Sequence, residues 1–290
     1  MTHPLQRIAL VVHHGRPDAL VAAGAMVERL HAAGHSVWVD SSGHDVASHP
    51  NIFDSQPMDT ADLVVAIGGD GTVLRAVHMV APSRIPILGI NSGRLGYLTQ
   101  AELVDRDDVL DRLLAGEVEG GWSVEERMMI SVTATDDSGN TTTHQVLNEV
   151  VVEKLNSGNT VDLHVDIDSR PFISFATDGL IVATPTGSTA YSLSARGPVV
   201  SPRHRAMLLT PVAPHMLFDR TIVLDPSETI DITVNGERPA ALVADGTVLR
   251  TLHRSSRVSC SVAPVSARFI RLVDRPYHQV LRAKFGLRDR

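Results

Sequence analysis

The stretch LVVAIGGDGTVLRA, residues 63–76, runs an unbroken apolar segment into Gly68-Gly69, an aspartate, a third glycine and a threonine before helix-like sequence begins. A short apolar run closed by turn residues and followed by a helical period reads as buried strand, tight loop and helix. That order is the building unit of a parallel α/β sheet, whose ligands sit at the carboxyl ends of the strands. Glycines at 68, 69 and 71 have two physical uses here, reaching backbone angles closed to other residues and letting the main chain approach a ligand. The amides at the helix N-terminus offer donors and partial positive charge to a phosphate. Asp70 runs against that picture, because a carboxylate repels phosphate unless it takes a proton from an attacking hydroxyl or holds magnesium. The competing reading makes Asp70 a helix N-cap, with glycines that only turn the chain.

Outward from this loop, the first 120 or so residues alternate between strands and helices. Strands are expected at 8–12, 36–39, 63–67 and 85–90, with helices beginning at Pro17-Asp18 and near Thr72. The run VDRDDVLDRL, 104–113, reads as an exposed helix with charge pairs four residues apart. From about Trp122 the texture changes to short β-rich runs at 128–135, 145–152, 161–167, 180–184, 221–224, 230–234 and 241–243. The chain therefore divides near Gly120-Gly121 into an α/β domain (1–121), an all-β domain (122–270) and a polar tail (271–290) that is helix or extended arm. The hexapeptide DGTVLR recurs at 245–250, but between β-like runs, where Asp-Gly is a hairpin turn.

Composition narrows the function. The chain has 290 residues, a net charge of −7 and arginines scattered rather than clustered, which argues against nucleic acid as partner. No apolar stretch is long enough for a membrane span, and one cysteine, Cys260, cannot form an internal disulfide, so the expected address is the cytoplasm. Neither lysine, Lys154 or Lys284, follows a glycine as a Walker-type loop requires. Fourteen histidines show no HExxH or zinc-site spacing, so no metal-ligating set is expected. His13-His14, at a strand end that could face ligand, reads as a solvated pair ahead of a ligand role, and Glu125-Glu126-Arg127 as a solvated charge cluster.

In the β-rich half, TDGLIVATPTGSTAYSLSARGPVV, residues 177–200, gathers hydroxyls, a glycine and one aromatic ring into a single turn, suited to hydrogen-bonding a sugar or phosphate and stacking a base. Together with GGDGT (68–72), GINSGRLGYLT (89–99), LNEVVV (147–152) and TPVAPHML (210–217), it resembles the NAD kinase family over most of the chain. The resemblance implies a Rossmann-like α/β domain, a C-terminal β-sandwich domain, a ligand site between them, and a homo-oligomer, dimer or tetramer.

Carried over by position, Asp70 corresponds to the family's catalytic base, with Gly68, Gly69, Gly71 and Thr72 beside phosphate and Arg75 one turn into the helix. Asn91 lies in the second motif. Asn148 and Glu149 resemble the adenosine-binding pair, and Asp178, Thr186, Thr189, Ala190, Tyr191, Ser192, Leu193, Ser194 and Ala213 fall in dinucleotide-contact segments. Arg196 stands where the family carries glycine, free to meet a phosphate or a neighbouring subunit, and Ala176 stands where some relatives carry a charged residue. The implied reaction moves the terminal phosphoryl group of ATP or polyphosphate to the 2′-hydroxyl of the adenosine ribose of NAD, giving NADP, with magnesium arriving on the donor. A lipid kinase of the diacylglycerol type shares the GGDGT loop but should show a basic or amphipathic surface segment. A non-catalytic dinucleotide sensor would have no use for an unpaired Asp70.

Overall fold

The computed structural model describes residues 5–13, 15–40, 56–93, 96–272 and 276–287, so His14 of the expected histidine pair lies outside the described residues. The chain forms two compact units, Met1–Glu126 with Ala267–Arg290, and Arg127–Ser266.

In the first unit, β1 (Arg7–Val12), β2 (Ser36–Val39), β3 (Leu63–Gly68) and β4 (Pro86–Asn91) pair in parallel in the order β2-β1-β3-β4. β1 and β3 are apolar almost throughout because both faces are covered, as parallel sheets demand. Helix α1 (Pro17–Ala32) opens on proline and packs Ala19, Ala23, Met26 and Leu30 onto the sheet, and α2 (Asp70–Val80) follows β3 directly. A two-residue strand, β5 (Ala101–Glu102), pairs with β4, and helix α3 (Arg106–Leu114) follows it. α3 is amphipathic rather than simply exposed, since Val109, Leu110 and Leu113 are buried. Besides the neighbouring Arg106 at 3.6 Å from Asp107, its acids reach across to another helix: Asp107 and Asp111, four residues apart, both meet Arg29 of α1. Like charges at that spacing repel, and the shared guanidinium relieves them.

The second unit is a β-sandwich. One sheet contains β6 (Trp122–Thr135), β7 (Thr141–Val146), β9 (Val161–Ile167), β10 (Arg170–Thr177), β14 (Ile230–Val234) and the start of β17 (Arg257–Leu272). The other is antiparallel, in the order β13 (Ile222–Leu224), β12 (Met207–Val212), β11 (Gly179–Ala183), β8 (Glu149–Lys154), β15 (Ala240–Ala244), β16 (Thr247–Leu252). Side chains of both sheets, among them Ile130, Leu163, Phe175, Val150, Leu180 and Leu209, form one core. A short helix, α4 (Tyr191–Ser194), lies in the hydroxyl-rich segment.

Two expectations need correction. The apolar run 145–152 is not one strand: β7 pairs with β6, β8 pairs with β11 and β15, and the chain changes sheet at Leu147-Asn148. The Glu125-Glu126-Arg127 cluster is solvated only at Glu126, which is exposed and meets Arg84 at 2.6 Å; Glu125 and Arg271 lie 3.7 Å apart at about one-eighth exposure, 13% and 12%, and Arg127 is buried. Arg271 belongs to the end of β17, which returns to the first unit and pairs in parallel with β4 at Arg268 and Phe269. The tail is helical, α5 (Tyr277–Phe285), ending on Gly286 at φ 60°. Among the described residues no helix is long and apolar enough to cross a membrane.

Candidate functional site

In the first unit β2 lies on one side of β1 and β3 on the other, so consecutive connections leave the sheet in opposite directions between β1 and β3. The crevice outside the carboxyl ends at such a switch point is where open α/β sheets bind ligands. A cavity of about 360 Å³ occupies that place, lined by His13, Arg16, Gly69, Gly71, Thr72, Arg75, Asn91 and Gly93. Its volume falls within the range of small-molecule sites, about 300–1,000 Å³.

The loop glycines work by closeness, not by unusual backbone angles, since none of the three has positive φ. A Cβ on Gly68 would lie 2.2 Å from Thr72 Oγ1, whereas on Gly69 or Gly71 it would meet nothing within 4 Å. Gly68 is therefore required by the strand-to-helix turn, and Gly69 and Gly71 leave the helix N-terminus bare toward the cavity. Gly69 is the N-cap and Asp70 the first helical residue. Asp70 is not unpaired: its two carboxylate oxygens accept the Tyr97 and Leu98 N–H groups, each at 2.9 Å. Each oxygen keeps a further lone pair for another partner.

Arg75 is held from below, donating Nη2 to Val12 O at 2.6 Å with Asp40 at 3.7 Å. Burial lowers its pKa and Asp40 opposes that, while its buried Nε has no partner. Asn91 is a positioning group: Nδ2 donates to Gly93 O and Glu102 Oε2, both at 2.7 Å. His13 and Arg16 were missed as lining residues. Both follow β1, and their place at a strand's carboxyl end was the available signal.

In the second unit the expected residues fall at the two ends of β8, Asn148 and Glu149 with the hydroxyl-rich loop at the sheet-switching turn, and Asp178 and Ala213 at the Lys154 end. Glu149 is 7% exposed, and burial, followed by the Asp245 carboxylate, pushes its pKa up to about 8, against the Tyr191 amide that bonds it. It therefore holds a proton at neutral pH. Asp178 pairs with Lys154 at 2.6 Å, and both acidic neighbours, Glu153 and then Asp178, join burial in raising the Tyr191 phenol, with Lys154 opposing. Lys154 was not among the expected site residues, and only the fold brings it there. Asp178 N–H donates to Val212 O, next to exposed Ala213 at φ 46°.

The hydroxyl-rich loop is less available than its sequence implies. Thr184 Oγ1 donates to Leu147 O at 2.6 Å, Ser188 Oγ donates to Val200 O, and Ser192 Oγ is paired with Thr210 Oγ1. Thr186 and Ser192 are buried; Thr189, Ala190 and Leu193 are half-buried, and Tyr191 and Ser194 are exposed. Arg196 adopts the left-handed conformation at φ 66°, so the chain keeps here the backbone that a glycine would take without strain. Among the described residues no three acidic, histidine or cysteine side chains are grouped to hold a metal ion.

A switch-point cavity with a bare helix N-terminus and two arginines, with Asp70 in the first turn of that helix but not among the lining residues, is the arrangement of an α/β protein that handles phosphate groups. Residues 8–118 match the ATP-NAD kinase N-terminal domain and residues 147–272 the ATP-NAD kinase C-terminal domain. The NAD kinase of Symbiobacterium thermophilum is 37% identical over 285 residues, 97% of this chain and 99% of that one. The chain belongs to the NAD kinase family. Among solved structures, an NAD kinase from Archaeoglobus fulgidus in complex with ATP is 26% identical, with a TM-score of 0.73 over 97% of each chain. Yeast NADH kinase complexed with NADH shares the fold at a TM-score of 0.88 and 24% identity, over 99% of this chain and 89% of that one.

Proposed function

We propose that this chain is an NAD kinase that moves the terminal phosphoryl group of ATP to the 2′-hydroxyl of the adenosine ribose of NAD, forming NADP. The observation that carries this is a cavity lined by Arg16, Arg75 and by Gly69 and Gly71, the residues on either side of Asp70, in a chain of this family. Phosphoryl transfer asks chiefly for positioning and charge stabilisation. The amides of the α2 N-terminus, Arg16 and Arg75 would hold donor phosphates. Asp70 would accept the ribose proton on a lone pair that its backbone bonds leave open. Asn148 and Glu149 would fix the adenosine end, leaving polar groups unpaired when a wrong ligand enters.

Magnesium bound to the donor supplies charge neutralisation. A single carboxylate suits it, because Mg²⁺ keeps several waters and takes one or two protein carboxylates beside phosphates. Polyphosphate presents the same terminal group and belongs to the proposal as a second donor. So do a cytoplasmic address and a homo-oligomer of two or four chains, the latter in keeping with exposed Leu217 and Val223 on the second unit. The family placement disfavours the lipid kinase reading.

The test is a coupled assay with NAD, ATP and magnesium that scores NADP with a strictly NADP-dependent dehydrogenase, the Asp70→Asn variant alongside. Turnover in the variant should fall by a factor of about 100 to 10,000 while calorimetric affinity for NAD persists. Near-normal turnover in the variant, or none in the parent, would sink the assignment.

A further inference from the structure

The second DGTVLR copy does more than turn the chain. Asp245 and Gly246 are the two residues between β15 and β16, with φ of 44° and 81°. Positive φ at both positions is what a type I′ hairpin turn needs, and aspartate tolerates it. From that turn the Asp245 carboxylate reaches a segment 96 to 98 residues earlier in the chain. Oδ2 accepts the Leu147 N–H at 2.8 Å, and Oδ1 accepts those of Asn148 at 2.8 Å and Glu149 at 3.1 Å. The Asp245 N–H donates in return to Glu149 O at 3.0 Å.

These bonds fall on the three residues where the chain leaves one sheet for the other, and the ladder partners of β8 begin only at Glu149. The hydroxyl-rich loop grips the same residues: Thr184 N–H donates to Asn148 O at 2.9 Å, and a Cβ on Gly187 would lie 2.1 Å from that oxygen. Asp70 uses the same device in the first copy, accepting consecutive amides of Tyr97 and Leu98. One hexapeptide thus serves twice, on a helix start and on a hairpin, to fix a loop by its backbone.

Resting on the reading of Asn148 and Glu149 as the adenosine-binding pair, we infer that Asp245 is a positioning residue of the reaction, its carboxylate setting the backbone from which both side chains reach the nucleotide. The same charge bears on how Glu149 meets its ligand. The groups facing the Glu149 carboxyl are Asp245, from the β15–β16 turn, and the Tyr191 amide, from α4. With the Asp245 charge gone, Glu149 should release its proton at lower pH.

The experiment compares Asp245→Asn, Asp245→Gly and Asn148→Ala with the parent enzyme. Asparagine and glycine both accept left-handed backbone, so each substitution spares the turn. KM for NAD and kcat are measured from about pH 6 to 9, a range that brackets the Glu149 transition. Asp245→Gly should raise KM for NAD about tenfold or more, the scale expected when binding groups are misplaced by a fraction of an ångström. Asp245→Asn should raise it less, and in both the inflection of KM against pH should move down. Should Asn148→Ala raise KM while both folded Asp245 variants keep the parent KM and inflection, Asp245 only turns the hairpin and the inference is overturned. If Asn148→Ala leaves KM unchanged, the reading of the pair fails and this inference with it, whatever the Asp245 variants do. Should Asp245→Gly not fold, Asp245→Asn decides by the same two readouts.

Discussion

Burying the Glu149 carboxyl beside a second acid makes its proton part of the fold. Its pKa is raised from an ordinary 4.5 to about 8, so between those values the folded chain holds a proton that the unfolded chain has released. The native state then binds more protons than the unfolded one, and stability falls as pH rises through that window. Glutamine at this position imitates the protonated acid and has nothing to lose. The stability of Glu149→Gln relative to the parent should therefore climb between about pH 5 and 8, by on the order of 4 kcal/mol, since each tenfold in the proton equilibrium is worth about 1.4 kcal/mol. Thermal or urea unfolding across that range checks it, and a difference that stays flat would show that Glu149 is ionised in the fold. This coupling was not legible in the sequence. Glu149 stood in a recognisable motif, but Asp245 lies far along the chain and reaches it only because β15 pairs with β8. Asp70, Gly69 and Arg75 could be read because they sit on one strand-loop-helix unit. His13 and Arg16 offered only their place after a strand's carboxyl end, and Lys154 offered nothing, since its partner Asp178 comes from another element.

At the scale of the element, the β3–α2 connection separates what the fold needs from what the ligand needs. Gly68 faces Thr72 at a distance that no methyl group can share, while Gly69 and Gly71 face open space at the cavity. Gly68→Ala should therefore destabilise the chain by about 1–3 kcal/mol, as overpacking does, whether or not ligand is present. Gly71→Ala should leave unfolding within about 0.5 kcal/mol of the parent, in line with a substitution that meets no neighbour. Its added methyl enters the space a phosphate would fill, so the KM for ATP should rise severalfold. Equal destabilisation by both, with KM for ATP unmoved, would remove the cavity from the reaction. Element by element, the parallel strands were legible because each is a short apolar run between turn residues. The sandwich strands were less so: β16 has only Leu252 buried, and β10 begins with three exposed residues, so neither shows the alternation that marks a half-buried strand. The single run 145–152 hid a change of sheet, because side-chain pattern reports burial and both sheets bury apolar residues in one core.

At the scale of the whole molecule, the return of β17 to the first unit had no local signature, since parallel pairing with β4 is fixed by topology and not by neighbours in sequence. The charge balance has a larger consequence. A chain of net charge −7 that takes up polyanionic substrates must confine its positive potential to a small region, and Arg16 and Arg75 line one cavity. Those groups leave part of the donor's charge unmatched, which is why magnesium is assigned to the donor and not to the protein. The fourteen histidines show no zinc-site spacing, so the expectation is a folded state that holds no ion of its own, and a chelator tests it. Excess EDTA should then leave the melting temperature of the free protein unchanged while turnover with ATP stops and returns on adding magnesium. A ligand that binds only the folded state raises the melting temperature in proportion to its saturation. NAD should therefore still stabilise the EDTA-treated protein, because Asn148 and Glu149, proposed to hold the adenosine end, would do so by hydrogen bonds without a metal. A fall in melting temperature on chelation would place a resident ion in the fold, and loss of the NAD effect would place it in the dinucleotide site.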